Sequence, residues 1–399
     1  MPKQIYLDNA ATTAVLPAVV EAMLPYFTEL YGNPSSLYSI GVDAKAAITD
    51  ARVRIAAHLN ADESEIYFTG SGTEADNWAL KATMEAYQGK GRHLITTAIE
   101  HHAISHTAEW LEKNGFAVTY LPVDSDGLVD PADLLSAIRD DTTLVSVILA
   151  NNEIGTIQPI AELAAIAHEH GVLFHTDAVQ ALAHIPIDVE ASGIDMLSAS
   201  AHKFHGPKGV GLLYIKKGIK TRSFLHGGAQ ERKRRASTEN VPGIIGMATA
   251  LDLCMARLDK RANEALLLRD RLIDRVLDEV PYSRLNGHRQ LRLPNNANFS
   301  FEFVEGESLL LSLEQKGILA SSGSACASGT LDPSHVLLAI GLPHEIAHGS
   351  LRLTVGEATS IEDIDYTVES IKSVVSQLRS MSPLYEDFLQ GKKPISAIR

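Results

Sequence analysis

The chain has 399 residues, 45% of them hydrophobic and 21% charged, and its 35 basic against 49 acidic residues leave a net charge of −14. That length passes the ~250–300 residues at which one core stops growing, so two domains are expected, and the acidic balance argues against direct nucleic-acid binding, which needs a basic footprint. No apolar run reaches the ~18–20 residues of a membrane span, MPKQIYLDNAATTA holds no apolar leader core, and two cysteines, Cys254 and Cys326, give no disulfide framework and fit a reducing cytoplasmic setting.

The N-terminus reads as short and extended, and is expected to pack on the second domain. From about residue 64 to 215, β-type runs alternate with helical patterns. Strands are expected at Glu65–Thr69, His93–Ala98, Ala117–Val123, Leu144–Ala150, Val172–Thr176, Asp195–Ala199 and Val210–Ile215. Helices are expected at Thr73–Tyr87, Ile104–Asn114, Pro131–Arg139 and Ile160–His170. Several strand runs are nearly continuous in apolar residues, as in strands buried on both faces. Such alternation implies an α/β fold with a mostly parallel central sheet flanked by helices. Pro242 to Glu279 reads as one long helix. Strands near Asn298–Phe303 and Ser350–Thr354, with helices at Ser308–Lys316, Ser334–Ala339 and Ile361–Ser380, outline a smaller α+β C-terminal domain. The large domain is expected over 15–258, and the small one over 1–14 and 259–399.

The densest local constellation is Ser198–Gly211, SASAHKFHGPKGVG. A strand ends in small polar residues, then come His202 and Lys203, and Gly206, Pro207 and Gly209 hold a tight loop. A lysine there reaches a ligand in the crevice at the carboxyl ends of a parallel sheet, although a surface lysine in a turn fits the same letters. Gly70–Asn77, GSGTEADN, opens a helix after a strand. Its free N–H groups and Thr73 suit a phosphate, while a plain cap by Ser71 or Thr73 is the simpler account of the segment alone. Asp177, in HTDAVQ, ends a strand where a carboxylate can pair with a protonated pyridine nitrogen or cap the next helix. Asn151–Gly155, NNEIG, and Glu100-His101-His102 also sit at strand ends. In an open α/β sheet such ends share one edge, so the pieces can converge.

With YLDNAATT at the start, YGNPSS at 31–36, EHHA at 100–103, STEN at 237–240, SSGSACASG at 321–329 and SLRLTVG at 350–356, the chain resembles a cysteine desulfurase of the NifS/IscS type, within the fold-type I transferases dependent on pyridoxal 5'-phosphate (PLP). The match runs over nearly the whole length. The resemblance implies PLP held as a Schiff base on Lys203, with His101 stacked on the ring, Asp177 on the pyridine nitrogen and Gln180 on the ring hydroxyl. Gly72, Thr73, Ser200 and His202 would hold the phosphate, with Thr238 reaching across from a second subunit of a homodimer. Asn152 and Arg352 would bind the substrate carboxylate, which the planar arginine fork matches bidentately. Lys203 would take the α-proton of L-cysteine. The Cys326 thiolate would then take the sulfur, leaving alanine and a persulfide destined for an iron–sulfur scaffold protein or another acceptor. Three departures stand out, Tyr38 in place of a histidine and Ala229 and Ser237 in place of glycines. The added Cβ atoms restrict the backbone where glycine is freest.

Other readings fit parts of the same sequence. Cys326 lies in a small, polar, glycine-rich run that reads as a mobile exposed loop, and Cys254 in a helical pattern that reads as core. A selenocysteine lyase or an aminotransferase would use the same scaffold, but transamination has no use for a loop nucleophile. A non-catalytic scaffold would not keep Lys203, Asp177, Arg352 and Cys326 together. His344-Glu345-Ile346-Ala347-His348 matches the H-E-x-x-H pattern of zinc hydrolases, yet three fixed positions arise easily among 16 histidines, and Gly349 ends the helix at once, so no metal is expected. His102 and His106 read as ordinary helix-side histidines, and Arg232-Lys233-Arg234-Arg235 as a solvated loop.

Overall fold

A computed structural model describes residues 4–322 and 333–392. After a two-residue strand, β1 (Ile5–Tyr6), come β2 (Ile66–Thr69), β3 (His93–Thr97), β4 (Ala117–Leu121), β5 (Thr142–Ser146), β6 (Leu173–Asp177), β7 (Met196–Ser200) and β8 (Gly211–Ile215). These last seven form one sheet in the order β2-β8-β7-β6-β5-β3-β4. Strand β8 pairs antiparallel with both neighbours, and the other pairings are parallel. β3, β5, β7 and β8 are buried along their whole length, which is why they are apolar or small without alternation. The run read as a strand over Leu144–Ala150 starts earlier, at Thr142, and its ladder ends at Ser146. Val147 and Leu149 still donate to the carbonyls of His175 (3.1 Å) and Asp177 (2.9 Å), so the chain stays extended toward the sheet edge.

Helices cover the sheet. A continuous helical run, Gly72–Tyr87, contains a π-helical turn at Trp78–Ala82. Ser39–Leu59 is a long helix that the sequence pattern did not signal. It packs on Val241–Met255, a helix whose Ile244, Met247, Ala248 and Leu251 are buried in the large core. The expected single helix from Pro242 to Glu279 is two, Val241–Met255 and Leu258–Glu279, bent by 71°. No proline or glycine causes the break. The first helix is held in the large core, whereas the second turns one face, Leu272, Ile273 and Val276, into a different core. The direction change at Ala256–Arg257 serves both, a case of packing overriding local propensity.

The second core lies under β9 (Ser283–Leu285), β10 (Asn296–Phe301), β11 (Ile318–Leu319) and β12 (Ser350–Thr354). β12, β10 and β9 form an antiparallel sheet, and β11 pairs in parallel with β1. Phe299, Phe301, Leu351 and Leu353 have no exposed surface, each worth about 1.5–3 kcal/mol of burial. Ile361–Ser380 closes this core from a capping box of Ser360 and Asp363. No single helix among the described residues is long and apolar enough to cross a membrane.

Candidate active site

Strands β2, β3, β5, β6 and β7 run in one direction, so their C-terminal ends open on a common edge. From that edge emerge Gly70–Gly72, Glu100–His101, Asn151–Glu153, Asp177–Gln180 and Ala201–Lys203. The convergence expected of these motifs is a direct result of the sheet topology.

Lys203 ends a 3-10 turn, Ala201–Lys203, directly after β7. Gly206 closes the turn, since a Cβ there would sit 2.7 Å from the Ala201 Cβ. The Lys203 Nζ donates to the carbonyls of Ala10 (2.6 Å) and Ala11 (2.8 Å). The Ala10 carbonyl also accepts from Gln180 Nε2 at 2.8 Å. His202 Nδ1 meets Thr12 Oγ1 at 3.1 Å, and Thr13 N donates to the His202 carbonyl at 2.9 Å. The N-terminal segment Asp8–Thr13 is thus a strap laid across the lysine loop. A cavity of about 640 Å³ beside the strap is lined by Asn9, Thr13, His205 and Arg261.

Asp177 is buried and its Oδ1 accepts from Val179 N at 2.9 Å. Burial pushes its carboxyl up to about 6, opposed by the Val179 N–H and by the positive charge of Lys203. His101 caps the helix His102–Lys113, its Nδ1 accepting from Ala103 N at 3.1 Å. Burial, helped by Lys203 and neighbouring histidines, pushes His101 down to about 4, so at neutral pH the ring is uncharged and its Nε2 carries the proton. His102 is not an isolated helix-side residue, because it stacks on His106 and lies against His335, each at 4.8 Å.

Gly72 sits at the helix start, packed closely against Val179 and Ser200. A Cβ there would meet Val179 Cγ2 at 2.7 Å and Ser200 Cβ at 3.3 Å, so its hydrogen is what lets the helix start approach Ser200. Ser71 is the cap, accepting from Glu74 N at 3.1 Å, which leaves Thr73 exposed and uncommitted to that role. Gly72, Thr73, Ser200 and His202 therefore offer N–H and hydroxyl donors for a phosphate. Thr238 lies in a separate 140 Å³ cleft with Gly70 and Asn240. The basic run before it is solvated at Arg232 and Lys233, as expected, but is also tied down: Arg235 pairs with Glu74 at 2.7 Å, and Arg232 donates to the Ile66 carbonyl at 3.1 Å. Of the two glycine replacements, Ala229 has an ordinary φ of −92° whereas Ser237 is held at φ +129°.

Arg352, on β12, is buried and joins the two cores. Its Nη2 pairs with Asp8 Oδ1 at 2.7 Å, its Nη1 donates to the Asn152 carbonyl at 3.1 Å, and its buried Nε has no partner. An amine at a strand end, a buried carboxyl, a glycine-opened helix start with hydroxyls, and an arginine with an orphaned N–H form a donor set that fits PLP and an amino-acid carboxylate. Sequence reasoning missed Asp8 as the partner of Arg352 and gave no role to Asp76 and His175, which are buried 3.8 Å apart, although all three stand inside motifs it quoted.

Cys254 is buried, its Sγ 3.5 Å from the Phe204 carbonyl, and burial pushes the thiol up to about 11. Cys326 lies outside the described residues. His344, Glu345 and His348 are exposed around a four-residue helix, His344–Ala347. Among the described residues no group of three histidine, cysteine or acidic side chains is arranged to hold a metal ion.

A model of the family described as aminotransferase class-V matches residues 5–367. A protein named cysteine desulfurase IscS from Methanosarcina thermophila is 58% identical over 382 residues, 96% of this chain and 94% of that one. Among solved structures, a NifS-like protein is similar with a TM-score of 0.88 at 38% identity, covering 94% of this chain and all of its own. One titled SspA in complex with cysteine gives a TM-score of 0.79 at 34% identity, covering 88% of this chain and 98% of its own.

Proposed function

The chain belongs to the class-V aminotransferase family and is a PLP-dependent cysteine desulfurase, and from that premise we propose that the Lys203 site strips sulfur from free L-cysteine and leaves it as a persulfide on Cys326. The observation that carries this reading is the short strap Asp8–Ala11, which joins the Lys203 amine to the Arg352–Asn152 pair. The cysteine bound in the SspA structure supports the substrate.

Lys203 would hold the cofactor covalently, with Asp177 at its ring nitrogen, Gln180 at its ring hydroxyl and neutral His101 on its face. Gly72, Thr73, Ser200 and His202 would hold its phosphate. Bound there, PLP supplies an electron sink that acidifies the substrate's α-hydrogen and weakens its β-carbon–sulfur bond. Arg352 and Asn152 orient the substrate carboxylate, which displaces Asp8 from the guanidinium and meets the orphaned Nε–H. Lys203 Nζ moves the proton at the α-carbon, aimed by the Ala10 and Ala11 carbonyls. The Cys326 thiolate attacks the substrate sulfur. One sulfur–sulfur bond forms, the β-carbon–sulfur bond breaks, and its electron pair stays with the carbon skeleton, which leaves as alanine. Cysteine plus thiol thus becomes alanine plus persulfide, with no external oxidant.

The reading extends to sulfur delivery to an iron–sulfur scaffold, supported by the IscS name of the relatives, and to a cytoplasmic enzyme, since a sulfur-accepting thiol must stay reduced. It also extends to a homodimer. Leu24, Phe27, Tyr31, Leu37 and Tyr38 are each more than half exposed along one short stretch, an apolar surface of the kind that marks an interface. The test is an alanine and sulfide assay with L-cysteine. Wild type releases both in equal amounts under reducing conditions, and Cys326→Ala keeps the PLP absorbance but releases no sulfide. Persistent sulfide release from that variant overturns the reading.

A further inference from the structure

Beneath Asp177 lie two more acids than one ring nitrogen can use. Asp76, on the helix Gly72–Asn77, is 1% exposed, and its Oδ1 has no hydrogen-bond partner. The basic nitrogen that comes near it is His175 Nε2, at 3.8 Å. That histidine brings no charge, because burial pushes it down to about 3. Its Nδ1 lies 2.9 Å from Ser146 Oγ and its Nε2 3.0 Å from Ser198 Oγ, and Ser198 in turn bonds the Asp76 carboxyl. Glu100, after β3, is also fully buried, with Oε1 accepting from Thr97 Oγ1 and Ile148 N and Oε2 unpartnered.

Asp76, Asp177 and Glu100 therefore share one poorly solvated floor, faced by neutral His175 and, across Asp177, by Lys203. Burial and the charge of Asp177 push Asp76 well above the usual carboxylate range, and burial pushes Glu100 up to about 8. Like charges in such a place cannot coexist without a matching cation.

We propose that Asp76 is a positioning residue that stays uncharged beneath Asp177, so that Asp177 alone carries the negative charge opposite the cofactor's ring nitrogen. The proposal rests on the reading of Asp177 given above. Asp76 works through its neighbours: it holds Ser198 and His175 in place at the base of β6 and β7 and adds no second charge to divide the proton of the ring.

The test uses the PLP-loaded full chain, read by infrared spectroscopy and by the pH titration of the PLP absorbance. Asp76→Asn keeps the shape of the acid and is always neutral. The wild type is expected to show a protonated-carboxyl C=O stretch at neutral pH, part of which vanishes in Asp76→Asn. That variant's PLP dissociation constant stays within about threefold of wild type and its titration within about half a unit, because no charge is lost. Asp76→Ala, which strips Ser198 of its partner, weakens PLP retention by about tenfold or more. Were Asp76 ionised, Asp76→Asn would remove a close, weakly screened charge and move the titration by about one unit or more. That shift, or a C=O stretch unaltered by the substitution, overturns the proposal. Asp177→Asn separates the two ideas. If it leaves PLP absorbance and retention unchanged, the reading of Asp177 itself falls, whatever Asp76 shows.

Discussion

Replacing Gly72 with alanine tests the phosphate cradle at a single atom. The new Cβ would lie 2.7 Å from Val179 Cγ2 and 3.3 Å from Ser200 Cβ. Ordinary carbon contacts are ~3.5–4.0 Å, so Val179 must retreat by about 1 Å. Val179 cannot do so cheaply, since its N–H donates to Asp177 Oδ1 at 2.9 Å. Ser200, at the end of β7, is locked in the sheet by its pairing with Gly211. Overpacking of this kind costs about 1–3 kcal/mol. If the strain falls on the cofactor's contacts, the PLP dissociation constant rises roughly 5- to 150-fold, at 1.36 kcal/mol per decade. The assay is reconstitution of apoprotein with PLP, followed by absorbance, with thermal unfolding in parallel. Gly89→Ala is the control, because a Cβ there meets nothing within 4 Å. A Gly72→Ala protein with lowered thermal stability but PLP affinity within twofold of wild type would show that the strain is absorbed elsewhere. The assignment of Gly72, Ser200 and the helix start to the phosphate would then be wrong.

Ser237→Gly should stabilise the protein by about 1 kcal/mol, because φ +129° strains any side chain and glycine's extra unfolded-state freedom offsets only part of the gain. A thermal midpoint that fails to rise refutes the strain. Glu100→Gln should become progressively more stabilising as pH rises. The acid's folded value is raised from 4.5 to about 8, so the native state keeps a proton that the unfolded chain has lost, and wild type loses up to ~1.36 kcal/mol per unit across that window. Urea unfolding at pH 5 and pH 8 measures the gap, and a gap that does not widen with pH removes the buried neutral acid. Cys254, with its thiol pushed up to about 11 by burial, should resist alkylation until the protein unfolds. Mass spectrometry of alkylated native protein decides this, and early labelling of Cys254 would contradict its burial.

The strand positions of the central sheet were legible because buried parallel strands are written in uninterrupted apolar runs. The site motifs were legible because each stood at the end of such a run. Ser39–Leu59 was not legible, since its cap residue Tyr38 makes no side-chain bond, its first turn holds no acid, and alanines make up much of its buried face. The bend at Ala256–Arg257 was hidden for the opposite reason: every residue there favours helix, and only the position of two separate cores dictates the turn. Asp8 and Asp76 were invisible as site residues because their roles depend on partners far along the chain, Arg352 for one and Ser198 with His175 for the other.

The strap sets a timetable for biosynthesis. Asn9 Nδ2 donates to the Thr354 carbonyl at 2.8 Å, Ala10 N to Thr354 Oγ1 at 2.9 Å, and Thr354 N to the Leu7 carbonyl at 2.7 Å. The residues that hold the Lys203 amine thus leave the ribosome more than three hundred residues before the Thr354 that bonds them. Until Ser350–Thr354 has emerged, the strap lacks these bonds to β12 and rests on its contacts with Gln180 and His202, however completely the large sheet has formed. Contacts of such sequence separation also form slowly. Arg352 is made in the same stretch, so a polypeptide stalled or cut short before β12 carries the lysine of the site without its arginine.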